Sequence, residues 1–186
     1  MKSLKRMNDK VYNAPIDRLH APERLRLLEV RRVVGLCVDD HSVKHVLDIG
    51  TGSGIFARAF INKGLSVTGI DINPEMLKTA RQRVPEAQFQ AGSMETLPFE
   101  DSSFDLVFMS HVLHETDDTD RALAETYRVS RSRTAILEWP FRHENYGPVL
   151  QHRLRPEQVQ SHAENAGYTS ISRHRLSHMD LWTLQK

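Results

Sequence analysis

The sequence predicts an α/β protein with a doubly wound, mostly parallel sheet, and three observations carry this. Short apolar runs end in glycine, acid or polar clusters, as buried parallel strands do: Val46–Ile49, Leu65–Ile70, Phe104–Met109 and Thr134–Leu137. Stretches with apolar residues three and four apart separate them, as helices packed on a sheet require. One contiguous unit, residues 46–71, reads strand, glycine loop, helix, strand, and closes on an acid.

That unit carries the most chemistry. Val46-Leu47-Asp48-Ile49 runs into Gly50-Thr51-Gly52-Ser53-Gly54, and the following helix sets Phe56 and Phe60, and Ala57 and Ile61, four apart. Gly64 falls where a C′ glycine ends a helix. Glycines at a strand-to-helix turn permit positive φ and let a ligand approach the main chain. Asp71 follows the loop by about 20 residues, so it closes the neighbouring strand, where a carboxylate accepts hydrogen bonds from a ribose diol. The ligand is therefore expected to contain a nucleoside. A dinucleotide needs the third glycine of G-x-G-x-x-G, and here the spacing is Gly50-x-Gly52-x-Gly54 with Ile55 in the dinucleotide position. S-adenosylmethionine has no phosphate and carries a sulfonium cation. Asp48, just before the glycines, suits such a cation and disfavours a pyrophosphate. An NAD-dependent oxidoreductase stays as the alternative, although dehydrogenases commonly add a substrate domain that this sequence does not show.

The remaining elements follow in order. Residues 1–20 are polar and mixed, anchored by Tyr12, Pro15 and Ile16. From Pro22 a single helix is expected, with Leu27, Val30, Val34 and Cys37 inward and Arg24, Arg26, Arg31 and Arg32 on a solvated face. Asn73-Pro74-Glu75 starts another helix, with an N-cap, a proline at N1 and an acid in the first turn, and Leu77, Ala80 and Val84 are its buried stripe. Ala87–Ala91 alternates like a short edge strand, followed by Gly92-Ser93-Met94-Glu95. The central strand Phe104–Met109 ends at Ser110-His111-Val112-Leu113-His114-Glu115. Ligands of such sheets bind outside the carboxyl ends of strands, which brings His111, His114 and Glu115 to the reaction zone. With an ordinary imidazole pKa near 6.5, either histidine is a candidate proton acceptor. A helix is expected over Asp117–Val129, a turn at Ser130-Arg131-Ser132-Arg133, then a strand ending at Glu138-Trp139-Pro140-Phe141-Arg142. A helix from Pro156 to Gly167 precedes an antiparallel hairpin of Thr169–Leu176 and Asp180–Leu184.

The runs VLDIGTGSG, GIDINPEML and AGSMETLPFEDSSFDLVFMSHVLHE resemble the motifs of class I S-adenosylmethionine-dependent methyltransferases. Within that family they are similar to the small-molecule branch that includes the ubiquinone/menaquinone-type C-methyltransferases, from Val43 to Trp139. The resemblance implies a Rossmann-like sheet of seven strands in the order 3-2-1-4-5-7-6, with the seventh antiparallel. It implies methyl transfer from S-adenosylmethionine to a small molecule. Asp48 is expected near the methionine amino group. Gly50, Thr51, Gly52, Gly54, Asp71, Ile72, Ser93, Met94 and Ser110 are expected around the rest of the cofactor. Residues 1–40 would form a lid and helix, with Tyr12, Arg18 and His20 toward substrate. Glu138, Trp139 and Arg142, and also Phe141 and Arg153, follow the fifth strand where the family often places substrate contacts. Two features depart from the family or narrow it. Ser93 stands where an acid usually meets the adenine amino group. SHVLHE stands where an Asn-Pro-Pro-Tyr-type motif serves amino-group methylation of bases or glutamine, which argues against that reaction. A non-catalytic cofactor-binding subunit is the third reading.

Composition sets the frame. The 186 residues suit one domain, residues 1–186, able to bury a core. Lysine and arginine (25) nearly balance aspartate and glutamate (24), so a nucleic acid partner is not expected. No apolar run reaches the roughly 18 residues of a membrane span. The basic start lacks the apolar stretch of a signal peptide. Cys37 is the only cysteine, which fits a reducing cytoplasm. The ten histidines lack metal-ligand spacing, so no metal is expected.

Overall fold

The structure, a computed structural model, describes residues 16–38 and 42–186. After a 3-10 turn at Ile16–His20 come α1 (Pro22–Leu27), α2 (Val30–Cys37), β1 (His45–Ile49), α3 (Ile55–Ile61), β2 (Ser66–Asp71), α4 (Pro74–Arg83) and β3 (Gln88–Ala91). The chain continues through β4 (Phe104–Ser110), α5 (Thr119–Val129), β5 (Ser130–Glu138), α6 (Pro156–Ala166), β6 (Ser170–Arg175) and β7 (Asp180–Gln185). Seven strands form one sheet in the order β3-β2-β1-β4-β5-β7-β6. The first five are parallel; β7 runs antiparallel to both β5 and β6. This is the expected topology, and it places the chain reversal between β1 and β4, where a doubly wound sheet opens its ligand crevice.

Strand alternation divides the core between two faces. Val46 of β1 faces one side with Phe56, Phe60, Val34, Cys37 and Phe108. Leu47 and Ile49 face the other with Met109, Leu123, Val159 and Ala163. Phe108 is gripped by Phe56 and Phe60, with ring centroids 4.7 and 5.2 Å away, which fixes α3 over β1 and β4. On the opposite face the Tyr168 hydroxyl lies 3.0 Å from Thr126 Oγ1 and 2.6 Å from Thr134 Oγ1, pinning α5 to β5. Helix α4 begins as its sequence dictates: the Asn73 side chain accepts from the N–H groups of Glu75 (3.0 Å) and Met76 (3.4 Å).

Two expectations are corrected. The single helix from Pro22 is two, broken at Glu29, whose φ of 43° is left-handed. A non-glycine residue there costs about 1–2 kcal/mol. The offset is tertiary: Glu29 Oε1 accepts from Ser177 N at 2.7 Å and Oε2 pairs with Arg32 at 2.9 Å. The Ser130–Arg133 segment is not a turn but the first part of β5, which leaves α5 with no intervening residue.

Candidate active site

The site is built from the glycine loop upward. Gly50, Gly52 and Gly54 have φ of 65°, 53° and 83°, and a Cβ on Gly50 would collide with Cγ1 of Val112. Only glycine satisfies both the backbone and the space there. The loop is stapled to β2. Thr51 N–H donates to Ile70 O at 2.9 Å, Gly52 N–H to Asp71 Oδ2 at 2.8 Å, and Gly54 N–H to Thr51 O at 2.9 Å.

Asp71 closes β2 at the crevice, as expected. Its Oδ2 takes the Gly52 N–H and its Oδ1 takes the Asn73 N–H at 2.8 Å. These bonds, with a further one from the Ile72 N–H, still leave the carboxylate acceptor capacity for a ribose hydroxyl. Burial pushes its pKa up, opposed by these backbone N–H groups. Beside it Ile72 is 62% exposed, an apolar side chain held in solvent at the sheet's edge.

Asp48 is placed differently from expectation. It alternates to the α3 face with Val46, is 1% exposed, and accepts from Thr51 Oγ1 at 2.7 Å. It braces the loop from beneath, so direct contact with a ligand is corrected to support through Thr51. Burial, with the charge of Asp71 adding to it, raises its pKa to about 7, against hydrogen bonds from Thr51 and the Ala57 backbone.

The segment after β3 is a tight turn. Ser93 is exposed, and its hydroxyl accepts from Glu95 N at 3.2 Å. Met94 is half-buried and packs on the second core cluster. Glu95, which sequence reasoning left unassigned, ties this turn to the approach to α5: its Oε1 accepts from Thr116 Oγ1 (2.6 Å), Asp117 N (3.2 Å) and Asp118 N (3.3 Å). Nothing in the local sequence marks that role, because its partners lie more than twenty residues on.

Beyond β4 the two histidines part company. His111 has φ 58°. Its Nε2 lies 3.1 Å from Met179 Sδ and its Nδ1 2.9 Å from Ser110 Oγ. Sulfur only accepts, so Nε2 carries the proton and Nδ1 receives the Ser110 hydroxyl. Burial lowers its pKa to about 3, and nearby Arg24 adds to this. A ring held neutral with its basic nitrogen bonded is not the proton acceptor expected of it. His114 instead pairs with Glu138: its Nδ1 lies 2.8 Å from Oε2 and 3.1 Å from Oε1, and its backbone N–H also donates to Oε1 at 3.2 Å. Burial raises the Glu138 pKa, but the interactions with His114 outweigh it and hold the carboxyl below its ordinary range.

The expected substrate wall is also redistributed. Glu138 faces His114, not an open cavity. Trp139 is 6% exposed and belongs to the core, its ring centroid 5.0 Å from that of His111. A Cβ on Gly147 would sit 2.5 Å from the Trp139 ring. Arg142 is exposed and bonded to Glu144 Oε1 at 2.6 Å and Ser177 O at 3.2 Å. Phe141 lies under the Arg155 guanidinium, 4.5 Å from it. Arg153 is buried and gives its donors to the carbonyls of Pro140 (3.1 Å), Arg142 (2.9 Å), Tyr146 (2.6 Å) and Pro148 (2.9 Å). It shapes the loop and holds no substrate anion. Tyr12 lies outside the described residues. His20 does reach the site: its Nε2 is 2.8 Å from Ser53 Oγ on the glycine loop. Arg24, expected in solvent, is half-buried, and its charge is felt at His111.

A sheet in this order, a left-handed glycine loop and a facing acid at β2 are the arrangement that the sequence motifs led us to expect. Residues 47–137, just under half of the chain, match the family described as Methyltransferase domain. The chain is 35% identical over 118 residues to a demethylmenaquinone methyltransferase of Renibacterium salmoninarum, covering 63% of this chain and 50% of that one. It is 39% identical over 97 residues to a malonyl-[acyl-carrier protein] O-methyltransferase of Serratia marcescens, covering 52% and 38%. The chain thus spans about half or less of the length of these curated relatives. A SAM-dependent methyltransferase structure from Aquifex aeolicus superposes with a TM-score of 0.79 at 23% identity, covering 91% of this chain and 96% of that one, which shows the fold. No helix among the described residues is long and apolar enough to cross a membrane.

Proposed function

We propose that this protein transfers a methyl group from S-adenosylmethionine to a small-molecule acceptor. The observation that carries the reading is the placement of Asp71, with spare acceptor capacity, between the glycine loop and exposed Ile72. Gly50, Gly52 and Gly54 let the cofactor lie against the backbone, Asp71 takes the ribose diol, and Ile72, Ser93 and Met94 flank the adenine. Asp48 acts from beneath, offering negative charge to a cationic ligand. Three loop amides are already bonded within the protein, which leaves a pyrophosphate poorly served and weakens the NAD reading. When bound, the cofactor supplies an already activated methyl group on sulfonium sulfur, so the protein's work is alignment and exclusion of water.

Where the acceptor must lose a proton, we assign that task to His114. An ionised Glu138 only accepts hydrogen bonds, so it fixes Nδ1 as the N–H and Nε2 as the basic nitrogen. Ser110 and His111 back this residue as a neutral, rigid wall. The N-terminal residues serve as a lid, supported by the His20–Ser53 contact. The two relatives act on unlike acceptors by name, a demethylmenaquinone and a malonyl-acyl carrier, so acceptor chemistry is set outside the shared domain. We place the reaction in a reducing cytoplasm, in keeping with the buried Cys37, the single cysteine of the sequence.

The test is parallel calorimetric titration with S-adenosylmethionine, S-adenosylhomocysteine and NAD. The first two bind and NAD does not; Asp71→Ala weakens binding by about 1–3 kcal/mol through lost charged hydrogen bonds. Binding of NAD alone refutes the reading. On a panel of phenols, reduced quinones and carboxylic acids, His114→Gln lowers turnover by about 10²–10⁴ without changing cofactor affinity. Cofactor binding with no turnover on any acceptor would favour the non-catalytic subunit.

A further inference from the structure

A cleft of about 800 Å³ runs between α1, the start of α2 and the outer face of α3. It meets the proposed cofactor and acceptor site at His20, Ser53 and Gly54 and otherwise has its own lining. Its floor is apolar, made by Leu25, Val30, Ile55, Ala59 and Val84. Its rim is cationic: Arg26, Arg31, Arg32, Arg58 and Arg83 face a single lining carboxylate, Glu29. Two of these charges are satisfied. Arg32 pairs with Glu29 at 2.9 Å, and Arg58 is held by both oxygens of Glu86 at 2.8 and 3.0 Å. Arg26 and Arg31 have no hydrogen bond or ion pair from their side chains among the described residues, and the Arg83 side chain reaches only the His20 ring, 3.5 Å away.

Three guanidinium groups without a carboxylate partner line one apolar floor, and like charges around a shared cleft repel each other. An anion relieves that repulsion, and guanidinium forks match phosphate or carboxylate oxygens bidentately. The floor, in turn, gains by covering hydrocarbon. The volume lies in the range of ligand sites. The chain's own leading residues do not complement the rim: Lys2, Lys5, Arg6 and Lys10 against Asp9 have the same sign. We propose that this cleft binds an anionic amphiphile, with its head at Arg26, Arg31 and Arg83 and its chain along Leu25, Val30, Ile55 and Ala59. The site adjoins the glycine loop through Ser53 and Gly54, but it stands independently of the methyltransferase reading.

The experiment is calorimetric titration with decyl phosphate below its aggregation concentration, with inorganic phosphate, decanol and phosphatidylglycerol vesicles as separate arms. Decyl phosphate binds one per chain, while phosphate alone and decanol bind at least about tenfold more weakly, the loss expected when head or chain contacts are absent. Arg26→Gln with Arg31→Gln, both exposed helix-surface side chains, weakens decyl phosphate about tenfold or more. Ala59→Leu, which fills the floor, weakens decyl phosphate and leaves inorganic phosphate unchanged. Equal affinity for phosphate and decyl phosphate would reduce the site to an anion patch and overturn the proposal. So would an unaffected double variant, or binding to vesicles but not to the monomeric amphiphile, which would point to a membrane surface.

Discussion

Asp48 is the residue whose environment most changes its chemistry. Its carboxyl keeps a proton to about pH 7 in the folded protein, whereas an unfolded aspartate releases it near pH 3.9. Between these values the folded state holds a proton that the unfolded state has lost, so its contribution to stability falls as pH rises from about 4 to 7 and then levels. Asp48→Asn keeps an acceptor for Thr51 and removes the titration. Urea melts at pH 5 and pH 8 should show wild type losing stability relative to this variant, by about 2.7 kcal/mol at most. A constant difference across that range would contradict the buried, proton-holding carboxyl. A cationic ligand favours the ionised form, so cofactor affinity should rise with pH through the same window and stay flat in Asp48→Asn. At this scale the glycine loop and Asp71 were legible, because strand, turn and helix are contiguous and each glycine has a local backbone reason. The burial of Asp48, the neutral state of His111 and the core position of Trp139 were not. Each depends on a partner brought by another element: α3, Met179 and the Gly147 loop.

Among the elements, the segment after β5 is organised by one side chain. Arg153, 5% exposed, replaces secondary structure as the hydrogen-bond partner for four carbonyls of residues 140–148. Replacing it with Met leaves those acceptors unpaired. Arg153→Met should cost about 3 kcal/mol or more and speed amide exchange selectively in residues 140–149. Exchange unchanged there would mean the loop is held by Trp139 packing alone. The sequence offered Arg153 as a substrate arginine, since an arginine after a strand end reads alike whether it meets a ligand or a carbonyl. The break at Glu29 was equally hidden: its cause, Ser177, lies 148 residues away. The helix at Asn73-Pro74 and the final hairpin were legible, because cap, proline and alternation act within a few residues.

Across the whole molecule, the cofactor crevice lies where the two core clusters meet at the ends of β1 and β4, so a ligand there contacts both halves of the fold. Cofactor at a hundred times its dissociation constant should stabilise the native state by about 2.7 kcal/mol, raising the melting temperature by about 5–10 °C for a chain of this size. NAD at equal concentration should leave it unchanged. Helix α5 passes directly into β5, and β5 is in turn paired on both edges. No slack exists at that junction: an inserted residue there would rotate a buried strand onto its wrong face. From β5 to α6, by contrast, residues 139–155 hold only a short 3-10 turn at Leu150–His152. Chain length is therefore fixed at the amino end of β5, on the side of the sheet away from the crevice, and less constrained after its carboxyl end, beside the crevice. Lineages that shift acceptor, and engineers who wish to, have insertions and deletions in that segment as their available route.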